Sequence, residues 1–338
     1  MSGRLTWLSL GAALTVAAGC TSTPSTTPSI LSPGVHPYVV DSNTNGIQTV
    51  KALAAGGGTW TLVAPMPTSQ PNSATGVVNG VMYTVGGGYD GSLLQAFDPL
   101  TNSWTTKAPM PTARTELAAG VVNGILYAVG GFVGYSAENV MEAYDPTSDS
   151  WSEKAPMPTA RGDLGVGVVN GILYAVGGDN FPGNVLNTVE AYNPKTNTWT
   201  TKASMPTARS FFGVGVINGT LYAVGGYTGP VGSLYTNIVE GYDARTNSWA
   251  SMSPMPTVRA GLGVGVINSV LYAVGGTAGN ETWKNEAFHP RTNTWTTKKH
   301  LPVVRQYIAA GVINGVLYVP GGDGCCRGPV TTVYAFTP

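Results

Sequence analysis

Charged side chains are scarce in this chain of 338 residues. They make up 10% of the residues, whereas about 25% is typical of soluble domains. The 17 basic and 17 acidic residues cancel to a formal net charge of zero. Nucleic acid requires a basic face on its protein partner, so this composition argues against nucleic-acid binding.

Cysteine and histidine are equally scarce, with three residues of each. Cys325 and Cys326 are adjacent, so in an oxidising compartment they could form a vicinal disulfide, with two separate thiols as the alternative. No histidine lies near them in the sequence, which argues against a zinc site. His36, His289 and His300 are not expected to converge, and no Ser-His-Asp set is apparent. We therefore predict no metal and no other cofactor.

Long apolar runs are lacking as well. Residues 5–18 are apolar but too short for a good membrane span, and Arg4 before them indicates an export signal. Ala17-Ala18-Gly19-Cys20 resembles a bacterial lipobox in which Cys20 would carry lipid; an ordinary cleaved signal is the alternative. We expect residues 1–19 to be a signal peptide. The protein is then exported and lipid-anchored in a bacterial cell envelope, on the periplasmic side or at the cell surface.

Serine, threonine and proline dominate the segment after Cys20, TSTPSTTPSILSPG. A segment of this composition cannot form a core and is typical of a tether. We expect residues 20–58 to act as this tether, with residues 38–58 loosely covering the folded part, and residues 59–338 to fold.

What the chain has in abundance is repetition. One unit occurs six times, and its tryptophan returns every 44 to 50 residues. A period of this length indicates a repeat architecture in which each unit is one supersecondary block that stacks on its neighbours. The paired glycines of the units begin at Gly86, Gly130, Gly177, Gly225, Gly275 and Gly321, and the tryptophans are Trp60, Trp104, Trp151, Trp199, Trp249 and Trp295.

Each unit predicts four antiparallel strands, as the second unit illustrates. Ala118–Val122 and Ile125–Val129 are apolar runs joined by Asn123-Gly124, the strongest short signal for a hairpin. Residues 140–144 alternate with period two, and Trp151 begins a fourth strand after a turn. No unit shows helical periodicity, so the six units predict an all-β ring.

The two ends of the chain predict how the ring closes. The last unit has its paired glycines and a third strand at residues 332–336, but no tryptophan follows. The missing fourth strand, with Trp60, is found at Thr59–Val63. We expect this N-terminal strand to complete the last unit, because closure removes the free sheet edges that template aggregation.

The units resemble the kelch repeat in their paired glycines, their fourth-strand tryptophan and an aromatic residue in the third strand. The resemblance extends over residues 59–338 and implies a six-bladed β-propeller, which we expect to be monomeric. It does not imply one function, because such propellers include binding modules and some enzymes. The third-strand aromatic residues are Phe97, Tyr144, Tyr192, Tyr242, Phe288 and Phe336.

Alternating strand direction separates two faces of the predicted ring. One face, here called the turn face, carries the short Asn-Gly and Asp-Pro turns, which barely vary. The other, here called the crossover face, carries the crossovers between blades and the loops between second and third strands. Divergent loops favour function, so the crossover face is the candidate binding face. Its loops cover about residues 88–93, 132–139, 179–187, 227–236, 277–284 and 323–331.

An arginine ends most crossovers and is expected near the mouth of the central channel. A ring of guanidinium groups would bind an acidic ligand through bidentate contacts with carboxylate, phosphate or sulfate. The alternative is pairing with third-strand glutamates, and the first unit has Gln70 and Gln95 at the two places. The arginines are Arg114, Arg161, Arg209, Arg259 and Arg305, and the glutamates are Glu142, Glu190, Glu240 and Glu286.

Aromatic residues in or beside the loops of the crossover face are further candidates for binding. Flat rings among polar groups stack on sugars or peptides, and capping of the blade ends is the alternative. The candidates are Tyr89, Tyr135, Phe181, Tyr227 and Trp283.

A copper-radical oxidase, known among kelch-like propellers, would need several histidine ligands, which this chain lacks. Some exported six-bladed kelch proteins resemble sugar mutarotases, whose chemistry needs only an acid and a base around a sugar ring. Glu116 and Asp163 are the candidates for these roles. Each lies two residues beyond a repeat arginine and departs there from the residues of the other units. Carboxylates in water, or paired with arginine, are the alternative.

Together these patterns predict an exported kelch-repeat binding module rather than an enzyme. The expected ligand is an acidic glycan, peptide or protein that meets the crossover face. The alternatives are an envelope sugar mutarotase or epimerase, and a structural envelope protein whose arginines are all paired with glutamate.

Overall fold

Six antiparallel sheets form the folded part of the chain. The computed structural model describes residues 39–40, 49–51, 57–180, 184–229, 234–280, 282–324 and 328–338, all within the compact unit His36–Pro338. The predicted lipidation and the predicted disulfide stay predictions. Residues 1–35, His36, Phe181, Cys325 and Cys326 lie outside the described residues.

The first five sheets are blades of four strands that pair in chain order. Blade 1 comprises Ala74–Val78, Val81–Val85, Leu94–Asp98 and Ser103–Thr106. Blade 2 comprises Ala118–Val122, Ile125–Val129, Met141–Asp145 and Ser150–Glu153. Blade 3 comprises Gly165–Val169, Ile172–Val176, Val189–Asn193 and Thr198–Thr201. Blade 4 comprises Gly213–Ile217, Thr220–Val224, Val239–Asp243 and Ser248–Ser251. Blade 5 comprises Gly263–Ile267, Val270–Val274, Asn285–His289 and Thr294–Thr297.

The sixth blade joins the two ends of the chain, as predicted. Its strands are Gly311–Ile313, Val316–Pro320, Val333–Thr337 and the N-terminal Thr59–Val63. Trp60 lies opposite Phe336 in this pairing. Two short strands within the predicted tether, Thr49–Lys51 and Val39–Val40, extend the same sheet outward. The valines and threonine of these strands are residues that favour strands.

Three loops of the crossover face contain small hairpins of their own. The pairs are Phe132–Val133 with Ser136–Ala137, Tyr227–Thr228 with Leu234–Tyr235, and Asp323–Gly324 with Gly328–Pro329. Within the described residues, the structure holds no helix long and apolar enough to cross a membrane.

Asparagine-glycine turns join the first two strands of every blade except blade 5, in the left-handed conformation that such hairpins require. In blade 2, Asn123 and Gly124 have φ values of 51° and 79°. Blade 5 has Asn268 and Ser269 instead, with φ values of 49° and 61°. The weaker turn signal of this unit therefore still produces the same hairpin, with a serine held where glycine is usual.

Glycines in the first strand of each blade allow the six blades to meet around the axis. A side chain at Gly120 in blade 2 would lie 2.8 Å from Val166 Cγ1 and 3.0 Å from Leu173 Cδ1 of blade 3. At the closing contact, a side chain at Gly311 would lie 3.0 Å from Met82 Sδ of blade 1. Because these glycines have no side chain, large side chains of the next blade, such as Val166 and Leu173, can pack directly against the strand.

The tryptophan of each fourth strand ties its blade to the crossover before it. Trp151 Nε1 donates to Ala108 O at 2.9 Å, and its ring packs 5.2 Å from that of Tyr144. The hydroxyl of Tyr144 donates to Asp149, whose carboxylate also accepts from Ala108 N. The tryptophan bond recurs in all six blades, and the tyrosine bond recurs in blades 3 and 4. The aromatic residues of the repeat therefore hold blades to the crossovers that precede them.

Candidate functional site

The crossover face contains a ring of six equivalent residues, one from each blade, here called the axial ring. Each lies two positions after the crossover arginine or its counterpart Gln70. All six have left-handed backbone, with φ between 50° and 61°. The members are Asn72, Glu116, Asp163, Phe211, Gly261 and Tyr307.

Backbone hydrogen bonds connect the axial ring from blade to blade. Glu116 N donates to Asn72 O at 2.9 Å, and Asp163 N donates to Glu116 O at 2.8 Å. Phe211 N then donates to Asp163 O at 3.0 Å, and Gly261 N donates to Phe211 O at 2.8 Å. These bonds fix a conformation that is unfavourable for most residues other than Gly, Asn and Asp.

Replacing Glu116 with asparagine tests this strain. Asparagine adopts left-handed backbone more readily than glutamate, and the change removes one of two neighbouring negative charges. We expect Glu116→Asn to stabilise the propeller by about 1 kcal/mol, measured as a higher Tm. The exposed Glu153→Asn in a fourth strand is the control and is expected not to raise Tm. A fall in Tm on Glu116→Asn would show that the glutamate contributes more to folding than its backbone strain costs.

A pocket opens inside the axial ring, with a volume of about 110 Å³. Each blade contributes its ring residue and the residue that follows. The following residues are mainly apolar and line the deeper wall: Ser73, Leu117, Leu164, Phe212, Leu262 and Ile308. The ring residues themselves differ in chemistry from blade to blade, so the pocket is the place where the repeat loses its regularity.

The axial ring divides into a polar half and an aromatic half. Asn72, Glu116 and Asp163 come from three consecutive blades, and Phe211 and Tyr307 face them from the other side. The rings of Phe211 and Tyr307 lie 5.4 Å apart. Blade 5 contributes only a glycine between them, and a side chain there would lie 3.0 Å from Tyr307 Cδ1. The glycine therefore allows the two rings to meet.

A second layer of aromatic rings surrounds Phe211. Tyr227 packs edge-on against it at 5.5 Å, and Tyr235 lies 4.8 Å from Tyr227. Both tyrosines belong to the small hairpin in the blade 4 loop. Tyr227 thus supports the aromatic half of the ring, and the loops and crossovers form one continuous surface there.

The two ring carboxyl groups are held in an environment that disfavours their charge. Burial raises the pKa of Asp163 well above its usual value, and the charges of Glu116 and Asp179 raise it further. Burial also raises the pKa of Glu116, with a contribution from Asp179. Among the described residues, neither carboxylate forms an ion pair or accepts a hydrogen bond. The polar half of the pocket therefore contains two carboxyl groups for which the described residues provide no positively charged partner.

The predicted arginine ring is not at the channel mouth. The side chains of four arginines are fully buried inside their blades and paired with the third-strand glutamates, which confirms the pairing interpretation for these four. With no exposed surface, their guanidinium groups do not contact a ligand in the pocket. The N–O distances are 2.7 Å for Arg114–Glu142, 2.6 Å for Arg161–Glu190, 2.7 Å for Arg209–Glu240 and 2.9 Å for Arg259–Glu286.

Each pair is completed by further hydrogen bonds. In blade 4, Arg209 Nη1 donates to Ile238 O at 2.8 Å, and Thr207 donates to Glu240 Oε1 at 2.9 Å. Burial lowers the pKa of Arg209 to about 10, while Glu240 opposes that shift. The guanidinium therefore stays charged at neutral pH and ties the crossover to the third strand.

Blades 1 and 6 have other residues at one or both of these positions. In blade 1, Gln95 donates to Gln70, and Gln70 Nε2 donates to the carbonyl of Gly86 at 2.8 Å. In blade 6, Arg305 is buried and donates to the hydroxyl of Thr332. In blade 1, where both charges are absent, the two positions thus keep their contact as a hydrogen bond between uncharged side chains.

The loop aromatic residues do not gather with the pocket. Tyr89 and Tyr135 are 99% and 82% exposed, so they do not cap the blade ends. Trp283 is half exposed and stacks on His300, with ring centroids 6.5 Å apart. Of the predicted aromatic candidates within the described residues, only Tyr227 reaches the aromatic cluster behind the axial ring.

Sequence reasoning found two of the six ring residues, Glu116 and Asp163, and missed the other four. The signal was available, because every unit has a residue two positions after its arginine or glutamine. Asn72, Phe211, Gly261 and Tyr307 occupy these places. In the described part of the chain, no group of three His, Cys, Asp or Glu residues could hold a metal ion.

The fold and the pocket together define a six-bladed β-propeller with an axial pocket on its crossover face. The chain belongs to the kelch-repeat domain family, because the family model described as "KLHDC2/KLHL20/DRC7 Kelch-repeats domain" matches residues 38–226 and 158–322. A solved structure titled "Structure of YjhT" is similar in fold, with a TM-score of 0.72 and 19% sequence identity. The likeness covers 81% of this chain and 97% of the other. A comparison with curated proteins found no match.

Proposed function

We propose that this kelch propeller is a binding module that receives its ligand in the pocket of the axial ring. The observation that carries the proposal is the loss of repeat regularity at this ring. The scaffold positions repeat almost unchanged from blade to blade, whereas the ring carries asparagine, glutamate, aspartate, phenylalanine, glycine and tyrosine. Divergence within a uniform scaffold is expected where loops and pockets bind a ligand.

Backbone strain supports the same proposal. Glu116, Phe211 and Tyr307 adopt left-handed backbone, which costs about 1–2 kcal/mol for each such residue. Strain of this kind clusters at ligand-binding and catalytic sites. Three strained residues around one pocket indicate that these particular side chains are kept there although their backbone conformation lowers the stability of the fold.

The sequence led us to expect an acidic glycan, peptide or protein as the ligand, but the structure gives no physical reason for that preference. Its recognition depended on exposed arginines, and four of them are buried in ion pairs. The pocket offers carboxyl groups and aromatic rings instead. The exposed Tyr89, Tyr135 and Leu234 in the loops of the same face are suited to contact a protein or peptide that places one group in the pocket.

Export and lipid anchoring remain part of the proposal. They rest on the sequence features at Arg4, residues 5–18 and Cys20. A binding module tethered through a Ser/Thr/Pro-rich segment would present its crossover face in the cell envelope.

Blocking the pocket tests the proposed site. Phenylalanine occupies the ring position in blade 4, so the left-handed backbone accepts an aromatic residue there. We expect Asn72→Phe to fill the pocket and to weaken binding of ligands selected from displayed peptide and glycan libraries by at least about tenfold, since displaced contacts of about 1.4 kcal/mol suffice. Binding is measured by calorimetry on variants of equal Tm.

The control repeats the substitution at similar backbone geometry on the turn face. Asn123 is exposed and has a φ of 51°, so Asn123→Phe introduces the same strain away from the pocket. Equal effects of the two variants would reject the pocket as the site. Selection of no ligand at all would favour a structural envelope protein.

A second candidate function is that of a sugar mutarotase or epimerase. It is favoured by one observation, the two neighbouring carboxyl groups whose pKa values are raised in the pocket, as in an acid–base pair. Mutarotation of sugars would be followed by polarimetry. Turnover that falls on both Glu116→Gln and Asp163→Asn would establish this candidate, and an unchanged spontaneous rate would exclude it for the sugars tested.

A further inference from the structure

We infer that the axial pocket binds an organic cation, the guanidinium or alkylammonium end of a basic side chain. The inference rests on the proposed function and names the chemistry of its ligand. Three independent features of the pocket lead to it: its uncompensated carboxylates, its aromatic wall and its small volume.

The carboxylates supply the first feature. Glu116 and Asp163 line the pocket, and among the described residues neither has an ion-pair or hydrogen-bond partner. Arg161 is close in the sequence but does not pair with these carboxylates, because its side chain is fully buried and pairs with Glu190 at 2.6 Å. Both side chains are partly buried, and carboxylates withdrawn from water are usually paired with a cation or hydrogen-bonded. A positively charged ligand group would supply the partner that the described residues do not.

The aromatic wall is the second feature. Phe211 and Tyr307 line the pocket opposite the carboxylates, and Tyr227 packs behind Phe211. The face of an aromatic ring attracts a cation, most strongly where water is excluded. A guanidinium or ammonium group between the two halves would contact carboxylate oxygens on one side and ring faces on the other.

The volume limits what the pocket can take. Its size of about 110 Å³ is well below the roughly 300–1,000 Å³ of pockets for drug-sized ligands. A single head group fits this space better than a whole sugar or a folded peptide segment. The rest of the ligand would then lie on the crossover face, beside the exposed Tyr89 and Tyr135.

Binding of a cation should be linked to pH through Asp163. Burial raises the pKa of Asp163, and the charges of Glu116 and Asp179 raise it further. Burial also raises the pKa of the neighbouring Tyr307 hydroxyl, and Asp163 is among the charges that raise it further. The free pocket therefore retains a proton to higher pH than an exposed aspartate. A cation prefers the ionised form, and its affinity should therefore rise as pH increases through that raised pKa, with release of a proton.

The test compares two probes of nearly equal shape and different charge, N-acetylarginine methylamide and N-acetylcitrulline methylamide. Binding to the propeller is followed by NMR shifts of the backbone amides of Asp163 and Phe211. We expect the arginine probe to bind at least about tenfold more tightly than the citrulline probe, and more tightly at pH 8 than at pH 5. Asp163→Asn should reduce the affinity for the arginine probe by about tenfold and remove most of the pH dependence.

Glu153→Gln is the matched control, since it removes a carboxylate from an exposed fourth strand. It should leave the affinity unchanged. Asparagine tolerates left-handed backbone, so Asp163→Asn should keep the parent Tm. Equal binding of the two probes, or equal effects of Asp163→Asn and Glu153→Gln, would overturn the inference.

The outcomes also separate the inference from the proposed function. If neither probe binds while Asn72→Phe still blocks a selected ligand, the cation is wrong and the pocket remains the site. If Asn72→Phe has no effect on any selected ligand either, the proposed function fails together with the inference.

Discussion

Replacing Arg209 with alanine is expected to destabilise the propeller by about 3–5 kcal/mol, because it leaves the carboxylate of Glu240 buried without its partner. Both side chains are almost fully buried, and their atoms lie 2.7 Å apart. The guanidinium also bonds the carbonyl of Ile238, so the crossover loses its link to the loop between the second and third strands. The free energy of unfolding would be measured by urea denaturation.

The chain contains its own control for this prediction. In blade 1, Gln70 donates to Gly86 O and Leu93 O, as Arg209 donates to Gly225 O and Ile238 O in blade 4. The double variant Arg209→Gln with Glu240→Gln copies that arrangement and leaves no buried charge. It should therefore lose clearly less stability than Arg209→Ala alone. An equal or larger loss would show that the charges themselves, and not only their balance, are needed in blade 4.

Replacing Trp60 with alanine is the second change with a large expected effect. Trp60 is fully buried, donates to Lys299 O at 2.9 Å and packs 4.9 Å from Phe336. Truncation of a buried tryptophan costs about 3–5 kcal/mol. The loss falls on the strand that closes the ring, so we expect a lower Tm and a greater tendency to aggregate as the sixth blade loses its fourth strand.

Trp151→Ala provides the comparison within the same repeat. Trp151 makes the equivalent hydrogen bond in blade 2 but is only partly buried, and its strand follows its partner directly in the chain. Its loss should destabilise less and should not promote aggregation to the same extent. If Trp151→Ala were as damaging as Trp60→Ala, closure of the ring would not be the sensitive step of this fold.

Much of the fold follows from local sequence signals. Asn123-Gly124 imposes a hairpin by its backbone preference, and period-two alternation marks the strands on either side. The pairing of Thr59–Val63 with the last blade followed from a missing tryptophan at one end and an extra one at the other. The strands Val39–Val40 and Thr49–Lys51 were not predicted, because strands this short leave almost no periodic pattern.

The direction of the arginine side chains does not follow from the sequence pattern alone. The arginines were expected at the channel mouth because the crossovers that they end lead into the innermost strands. In an extended strand, residues two positions apart, such as Arg114 and Glu116, face the same side. The left-handed backbone of Glu116, with φ of 57°, breaks this alternation. The arginine is therefore buried in its blade while the ring residue lines the pocket. Left-handed glutamate, phenylalanine and tyrosine carry no sequence signal of the kind that Asn-Gly provides.

Photocrosslinking from the axial ring tests the central claim most directly. Phe211→p-benzoylphenylalanine places a reactive ring in the pocket, and the same substitution at Leu100, which is 90% exposed on the turn face, serves as its comparison. A ligand selected on the parent protein would be irradiated with each variant. The account predicts that the ligand crosslinks to position 211 and not to position 100. Crosslinking to position 100 with none at position 211 would contradict it.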